Sequence, residues 1–126
     1  MLVGALAITG CQSKAAANRQ PYTGTSTAAA RDGVQDIVLD VGGNFRFTPS
    51  TITVHPGKVR ITLKYQGSGA PHDWLLNGFP ADYVPLTSGG QTNSVSFVAP
   101  APGTYSFECT IHVKQGQTGT MVVLPS

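Results

Sequence analysis

The sequence predicts an all-β domain, an antiparallel β-sandwich of roughly seven to eight short strands. Two observations carry that expectation. Short segments that alternate apolar and polar residues follow one another from about residue 36 to residue 124, and Gly- or Pro-containing turns separate them. No stretch between them repeats its apolar residues at helical spacing, and no internal repeat is visible.

Taken in order, Asp36-Ile-Val-Leu-Asp-Val41 alternates loosely until Gly42-Gly43 breaks it. Phe45-Arg-Phe47 is a short candidate strand bounded by Pro49, and Thr51-Ile-Thr-Val54 runs into the Pro56-Gly57 turn. In Val59-Arg-Ile-Thr-Leu-Lys-Tyr65 the polar Arg60, Thr62 and Lys64 face one way and Val59, Ile61, Leu63 and Tyr65 the other, which predicts one wet and one buried side. Gly67-Ser-Gly69 ends it, and His72 to Leu76 begins the next strand. Asn77 to Gly90 is the one long irregular stretch, with room for a turn of helix. Ser94 to Val98, Thr104 to Cys109 and Thr118 to Leu124 complete the set.

A chain of 126 residues fits one compact domain, placed at 34–126. From Val34 onward Arg46, Lys58, Arg60, Lys64 and Lys114 balance Asp36, Asp40, Asp73, Asp82 and Glu108, so no basic stripe offers a nucleic-acid surface. Residues 1–10 are apolar and end in Ile8-Thr-Gly-Cys11, which resembles a bacterial lipobox with Cys11 as the lipidated residue. The run is too short to span a bilayer and lacks the positive start of a secretory signal, so the natural start is expected further upstream. The alternative is a disordered apolar terminus with an incidental cysteine. Residues 11–33, rich in Ala, Ser, Thr, Gln and Gly, read as the lipidated Cys and a flexible tether. The two cysteines are assigned apart, Cys11 to an anchor and Cys109 to a metal, which weighs against a disulfide between them.

The chemistry concentrates near the C-terminus, in Phe107-Glu-Cys-Thr-Ile-His-Val-Lys-Gln-Gly-Gln117. Cys109 is a soft thiolate, His112 a borderline imidazole and Gln117 a weak oxygen donor, three corners of a copper site on one loop. His72, in Pro71-His72-Asp73-Trp74, offers the fourth. His55 is a weaker candidate, at a turn where a solvent-facing histidine needs no explanation. Met121 rivals Gln117 as axial donor, although its position within the last strand suits core packing. Zinc also accepts two imidazoles, a thiolate and an oxygen.

These features, with Phe45-Arg-Phe-Thr-Pro49, Ile52-Thr-Val-His-Pro-Gly57 and Ala101-Pro-Gly-Thr-Tyr-Ser-Phe-Glu-Cys109, resemble the cupredoxins, the plastocyanin-like blue-copper electron carriers, over residues 34–126. The resemblance implies Greek-key connections, one type 1 copper ion held by His72, Cys109, His112 and Gln117, and a redox partner that approaches over the apolar rim of Ile111 and Val113. It implies Thr110 as the bonding partner of Asp73, at a position where the family commonly has Asn. Gln117 departs from the Met usual there. The resemblance and the lipobox together imply a monomeric, non-enzymatic carrier of single electrons, lipid-anchored on the extracytoplasmic side of a bacterial membrane. The alternative is a copper protein for delivery or sequestration. Three histidines and one cysteine in the domain are too few for a trinuclear or binuclear copper oxidase.

Overall fold

The computed structural model describes residues 25–27, 29–31 and 33–126, so the signal-like segment and Cys11 lie outside the described residues. Among the described residues there are ten strands: β1 Thr25–Thr27, β2 Ala29–Arg31, β3 Val34–Val41, β4 Thr51–Val54, β5 Lys58–Tyr65, β6 His72–Leu76, β7 Tyr83–Thr87, β8 Thr92–Val98, β9 Gly103–Glu108 and β10 Thr118–Val123. They form a six-stranded sheet ordered β1-β4-β10-β9-β6-β7 and a four-stranded sheet ordered β2-β3-β5-β8. Among the described residues the one helical element is a 3-10 turn, Val113–Gln115.

The β-sandwich expected from the sequence is present, with differences that have physical causes. β3, β4 and β5 alternate between the sheets, so β4 acts as a crossover and β3 lies parallel to β5; β4 is likewise parallel to β10 and to β1. Within residues 11–33, expected as tether, β1 and β2 pair with β4 and β3. Asn77 to Gly90 carries a strand, β7, instead of a turn of helix. Pro85 hides it in the sequence, and β7 tolerates a proline because it is the edge of its sheet. Phe45-Arg-Phe47 is no strand: Phe45 has φ +53°, and Asp40 and Thr48 make the only bridge there.

The alternation read from the sequence sets the core. Val59, Ile61, Leu63 and Tyr65 of β5 point inward with Ile37, Leu39 and Val41 of β3, against Ile52, Val54, Trp74, Leu76, Phe107, Met121 and Val123 of the facing sheet. Each such side chain taken from water contributes about 1.5–3 kcal/mol. Gln35 is a buried exception that staples the β4–β5 turn: its Oε1 accepts from the His55 N–H at 2.7 Å and its Nε2 donates to the His55 carbonyl at 2.8 Å.

Where β4, β10 and β9 meet, the backbones come too close for a side chain. A Cβ on Gly119 would stand 2.3 Å from the Phe107 ring and 2.5 Å from the Ser50 carbonyl oxygen. Gly119→Ala should therefore cost about 1–3 kcal/mol of overpacking. A Cβ on Gly43 would meet only the Ser68 carbonyl oxygen, at 3.5 Å. Thermal melts of the metal-free protein should show a lower midpoint for Gly119→Ala and little change for Gly43→Ala.

Candidate metal centre

The β9–β10 hairpin builds one side of the site. Its last rung pairs Glu108 with Thr118, so Cys109 and Gln117 face each other immediately beyond it, and the Cys109 N–H donates to the Gln117 carbonyl at 3.0 Å. Between them the chain closes on itself. The His112 N–H donates to Cys109, and the N–H groups of Gln115 and Gln117 both donate to His112. Gly116 makes the return possible at φ +90°, a left-handed conformation that glycine adopts without steric cost.

The other imidazole comes from the first residue of β6. A bulge between His72 and Trp74 shifts the register against β7. As a result His72, Asp73 and Trp74 are all buried in succession. The His72 ring stacks on Tyr65 with centroids 5.6 Å apart.

His72, Cys109 and His112 bring their donor atoms within 4.8 Å of one another, all buried. His112 Nδ1 lies 3.4 Å from Cys109 Sγ and 3.2 Å from His72 Nδ1. Gln117 Oε1 lies 2.8 Å from His72 Nδ1. Gln117 is thus beside the cluster, while Met121 sits mid-strand in the core opposite Tyr105. His55 stands at the far end of the sandwich, following Val54, whose register partner is Val123 at the end of β10. It is exposed, and its Nδ1–H donates to the Ser126 carbonyl at 3.0 Å.

The donor set fits a metal cation on two counts. Bonds of about 2 Å to nitrogen and about 2.3 Å to sulfur at tetrahedral angles put ligand atoms roughly 3.3 Å (N to N) and roughly 3.6 Å (N to S) apart. The 3.2 Å and 3.4 Å separations lie close to those values. The second count is the orientation of the donor atoms. His72 Nε2–H donates to the Gly42 carbonyl, which turns Nδ1 toward the cluster. Gln117 Nε2 donates to the Arg46 carbonyl at 3.2 Å, which turns Oε1 toward that same Nδ1. One cation among them can take all four donor atoms as ligands. Without a cation, burial pushes the Cys109 thiol above its ordinary range.

Asp73 ties the neighbouring segments together. Its Oδ1 accepts the Thr110 N–H at 2.7 Å, and its Oδ2 accepts the Thr110 hydroxyl at 2.6 Å and the Tyr83 hydroxyl at 2.8 Å. No sequence signal marks Tyr83, which opens β7 inside the irregular-looking stretch 77–90. The roles of the Gly42 and Arg46 carbonyls and of Phe45 were also missed. A bulky residue at φ +53° costs on the order of 1–3 kcal/mol, and no sequence signal marks it. Around His112, which is 7 % exposed, Ile111 and Val113 are 48 % and 38 % exposed.

The chain belongs to the cupredoxin-like domain family, whose model matches residues 1–123. Solved structures share the fold. Reduced auracyanin from Roseiflexus castenholzii is 20% identical over 76% of this chain and 100% of that one, with a TM-score of 0.65. Auracyanin A, a "blue" copper protein from Chloroflexus aurantiacus, is 27% identical over 72% of this chain and 99% of that one, with a TM-score of 0.63. The metal-binding domain of the Cu(I)-exporting P-type ATPase CopA of Streptococcus pneumoniae, with Cu(I), is 18% identical over 81% of this chain and 97% of that one, with a TM-score of 0.64. No curated protein sequence matches the chain significantly. Family, fold and the buried His–Cys–His cluster together support one type 1 copper ion as cofactor.

Tyr83 is 36 % exposed, yet partial burial of its phenol, followed by the hydrogen bond to Asp73, raises it to about 12. The unfolded chain loses that proton near pH 10 and the folded one near 12, so between those values the folded state holds the extra proton and stability falls as pH rises. Below pH 10 the contribution is fully present. Urea unfolding of the copper-free protein across pH 9 to 12 should show this loss, and Tyr83→Phe should remove that part of the slope.

Proposed function

We propose that this protein is a membrane-tethered, mononuclear blue-copper carrier of single electrons. His72 and His112 would hold the ion through Nδ1 and Cys109 through Sγ, with Gln117 Oε1 as the weak axial donor. A bound copper supplies a one-electron Cu(II)/Cu(I) couple. The observation that carries the proposal is that all four donor atoms converge, with His72 and Gln117 each held from behind by a backbone carbonyl. Donors fixed in advance shift little when the charge between them changes, and small reorganisation favours fast transfer. His112 lies at the edge of the molecule, and Ile111 and Val113 give a partner an apolar surface on which to settle.

A second reading, copper delivery or sequestration, is favoured by one observation, the likeness in fold to the metal-binding domain of a Cu(I) exporter. Visible spectroscopy and voltammetry separate the two. The copper-loaded carrier should show an intense thiolate-to-copper band and a reversible one-electron wave. Cys109→Ser and His72→Ala should abolish the band, and His55→Ala should keep it. A colourless wild-type complex would exclude the blue-copper site; a coloured complex without a reversible wave would favour delivery.

The axial assignment is tested by potential. An amide oxygen is harder than a thioether and favours Cu(II), so Gln117→Met should raise the reduction potential by about 100 mV, roughly 2 kcal/mol at about 59 mV per tenfold change for one electron. Met121→Leu should leave the potential nearly unchanged and cost under about 1.5 kcal/mol of stability. A shift with Met121→Leu and none with Gln117→Met in voltammetry would exchange the two roles.

The tether is part of the same proposal, with Cys11 as the lipidated residue on the extracytoplasmic side of a bacterial membrane and the remaining residues up to β1 as the span between lipid and sandwich. Expressed in a bacterial host behind a complete lipoprotein signal, the wild type should sediment with membranes, and Cys11→Ser should move the protein to the soluble fraction. Equal partitioning would sink the anchor and leave the copper chemistry untouched.

A further inference from the structure

Among the described residues Phe45 is the one non-glycine residue with a positive φ, +53°. Glycine or asparagine takes that conformation readily, and a bulky side chain does not. A strained position held by an aromatic residue points to something the ring does there. Its ring lies against the donor cluster. The centroid is 4.6 Å from that of His112 at a tilt of 52°, and 6.4 Å from that of His72, edge-on at 75°. The same short loop places the Gly42 carbonyl on His72 Nε2–H and the Arg46 carbonyl on Gln117 Nε2. Three of the four donor side chains are therefore touched by residues 42–46, a segment whose sequence suggested only a turn and a short strand.

The contacts differ in kind. His72 and Gln117 are oriented by hydrogen bonds to backbone carbonyls. His112 has no such bond to a carbonyl: its Nδ1 faces only Cys109 Sγ and His72 Nδ1. It is also the member of the cluster with the most remaining exposure. Of the four donors, His112 most needs an external restraint, and the Phe45 ring is packed on it. From this we infer that Phe45 is a positioning residue. It fixes the His112 ring plane so that Nδ1 faces inward before any metal arrives, and it covers the ring against water and small anions.

The inference rests on the copper proposal, but its first test needs no metal. In the copper-free full chain, nitrogen-15 NMR of the His112 imidazole should show one ordered ring in the wild type. In Phe45→Ala the same signals should shift or broaden as the ring gains freedom, and Phe45→Tyr, which keeps the flat ring, should restore them. The melting point of copper-free Phe45→Gly should equal or exceed that of the wild type, because glycine relieves the backbone strain. A purely structural aromatic would make it fall, as Phe47→Ala should. Where Phe45→Ala does not fold, Phe45→Leu, with apolar bulk and no flat ring, puts the same question.

In the copper-loaded protein azide is the probe. It should add a new charge-transfer absorption in Phe45→Ala and leave the wild-type spectrum unchanged. His112 signals identical in wild type and Phe45→Ala would overturn the inference, as would an equal azide response in both. Failure of the wild type to bind copper at all would overturn the copper proposal and leave the metal-free comparison to decide the role of Phe45.

Discussion

Four donor atoms, two imidazole nitrogens, a sulfur and an amide oxygen, are held facing a space suited to one ion, and side chains left to themselves would not converge so. Everything at this end of the sandwich answers that constraint. A flexible set of the same side chains would turn outward to water. Here the outward escapes are taken up: the far nitrogen of His72 by the Gly42 carbonyl, the amide nitrogen of Gln117 by the Arg46 carbonyl. The remaining donor atoms are left facing one another. The core beneath keeps them there, where Trp74, Phe107 and Phe47 pack their rings at 5.3–5.5 Å centroid separation.

The sheet topology explains why these contacts meet at one end. β3 ends at Val41, β5 at Tyr65 and β9 at Glu108, whereas β6 and β10 begin at His72 and Thr118. With β3 parallel to β5, and β9 antiparallel to both β6 and β10, those termini lie together. The loops beyond them supply the donors and the carbonyls that aim the donors. The opposite end holds the β4–β5 turn, pinned by Gln35, and offers no comparable set among the described residues. Chemistry and mechanical support are thus divided between the two ends of one barrel-like stack, and a change in the far turn need not disturb the donors.

How much of this was legible in the sequence depended on range. The thiol, imidazole and amide sit on one short loop, so their spacing alone brought Cys109, His112 and Gln117 forward. The strand alternation of Val59 to Tyr65 likewise needs only local pattern, and its burial follows that pattern residue by residue. The orienting carbonyls are another matter. Gly42 lies 30 residues from His72, and Arg46 lies 71 from Gln117. A backbone oxygen leaves no mark in residue type. Phe45 misled for a related reason: Phe45-Arg-Phe47 has the composition of a strand, and the left-handed φ that breaks it is imposed by tertiary packing. β7 was hidden by Pro85, whose tolerance depends on edge position, a fact of the assembled sheet. Pairing by β1 and β2 was invisible because short Ala- and Thr-containing segments carry no periodicity long enough to read.

Asp73 has a consequence for how two distant segments keep their spacing. It follows His72 in β6 and is 1 % exposed, and its oxygens accept from the Thr110 N–H, the Thr110 hydroxyl and the Tyr83 hydroxyl. Thr110 follows Cys109, so one side chain clips the strand that supplies an imidazole to the loop that supplies the thiol, and Tyr83 ties β7 to the same joint. An asparagine there would keep one acceptor oxygen and would turn an N–H2 donor toward groups that now donate. The joint works between residues 37 positions apart, so its loss would be felt as slack between two chain segments and not as a fault in either residue alone.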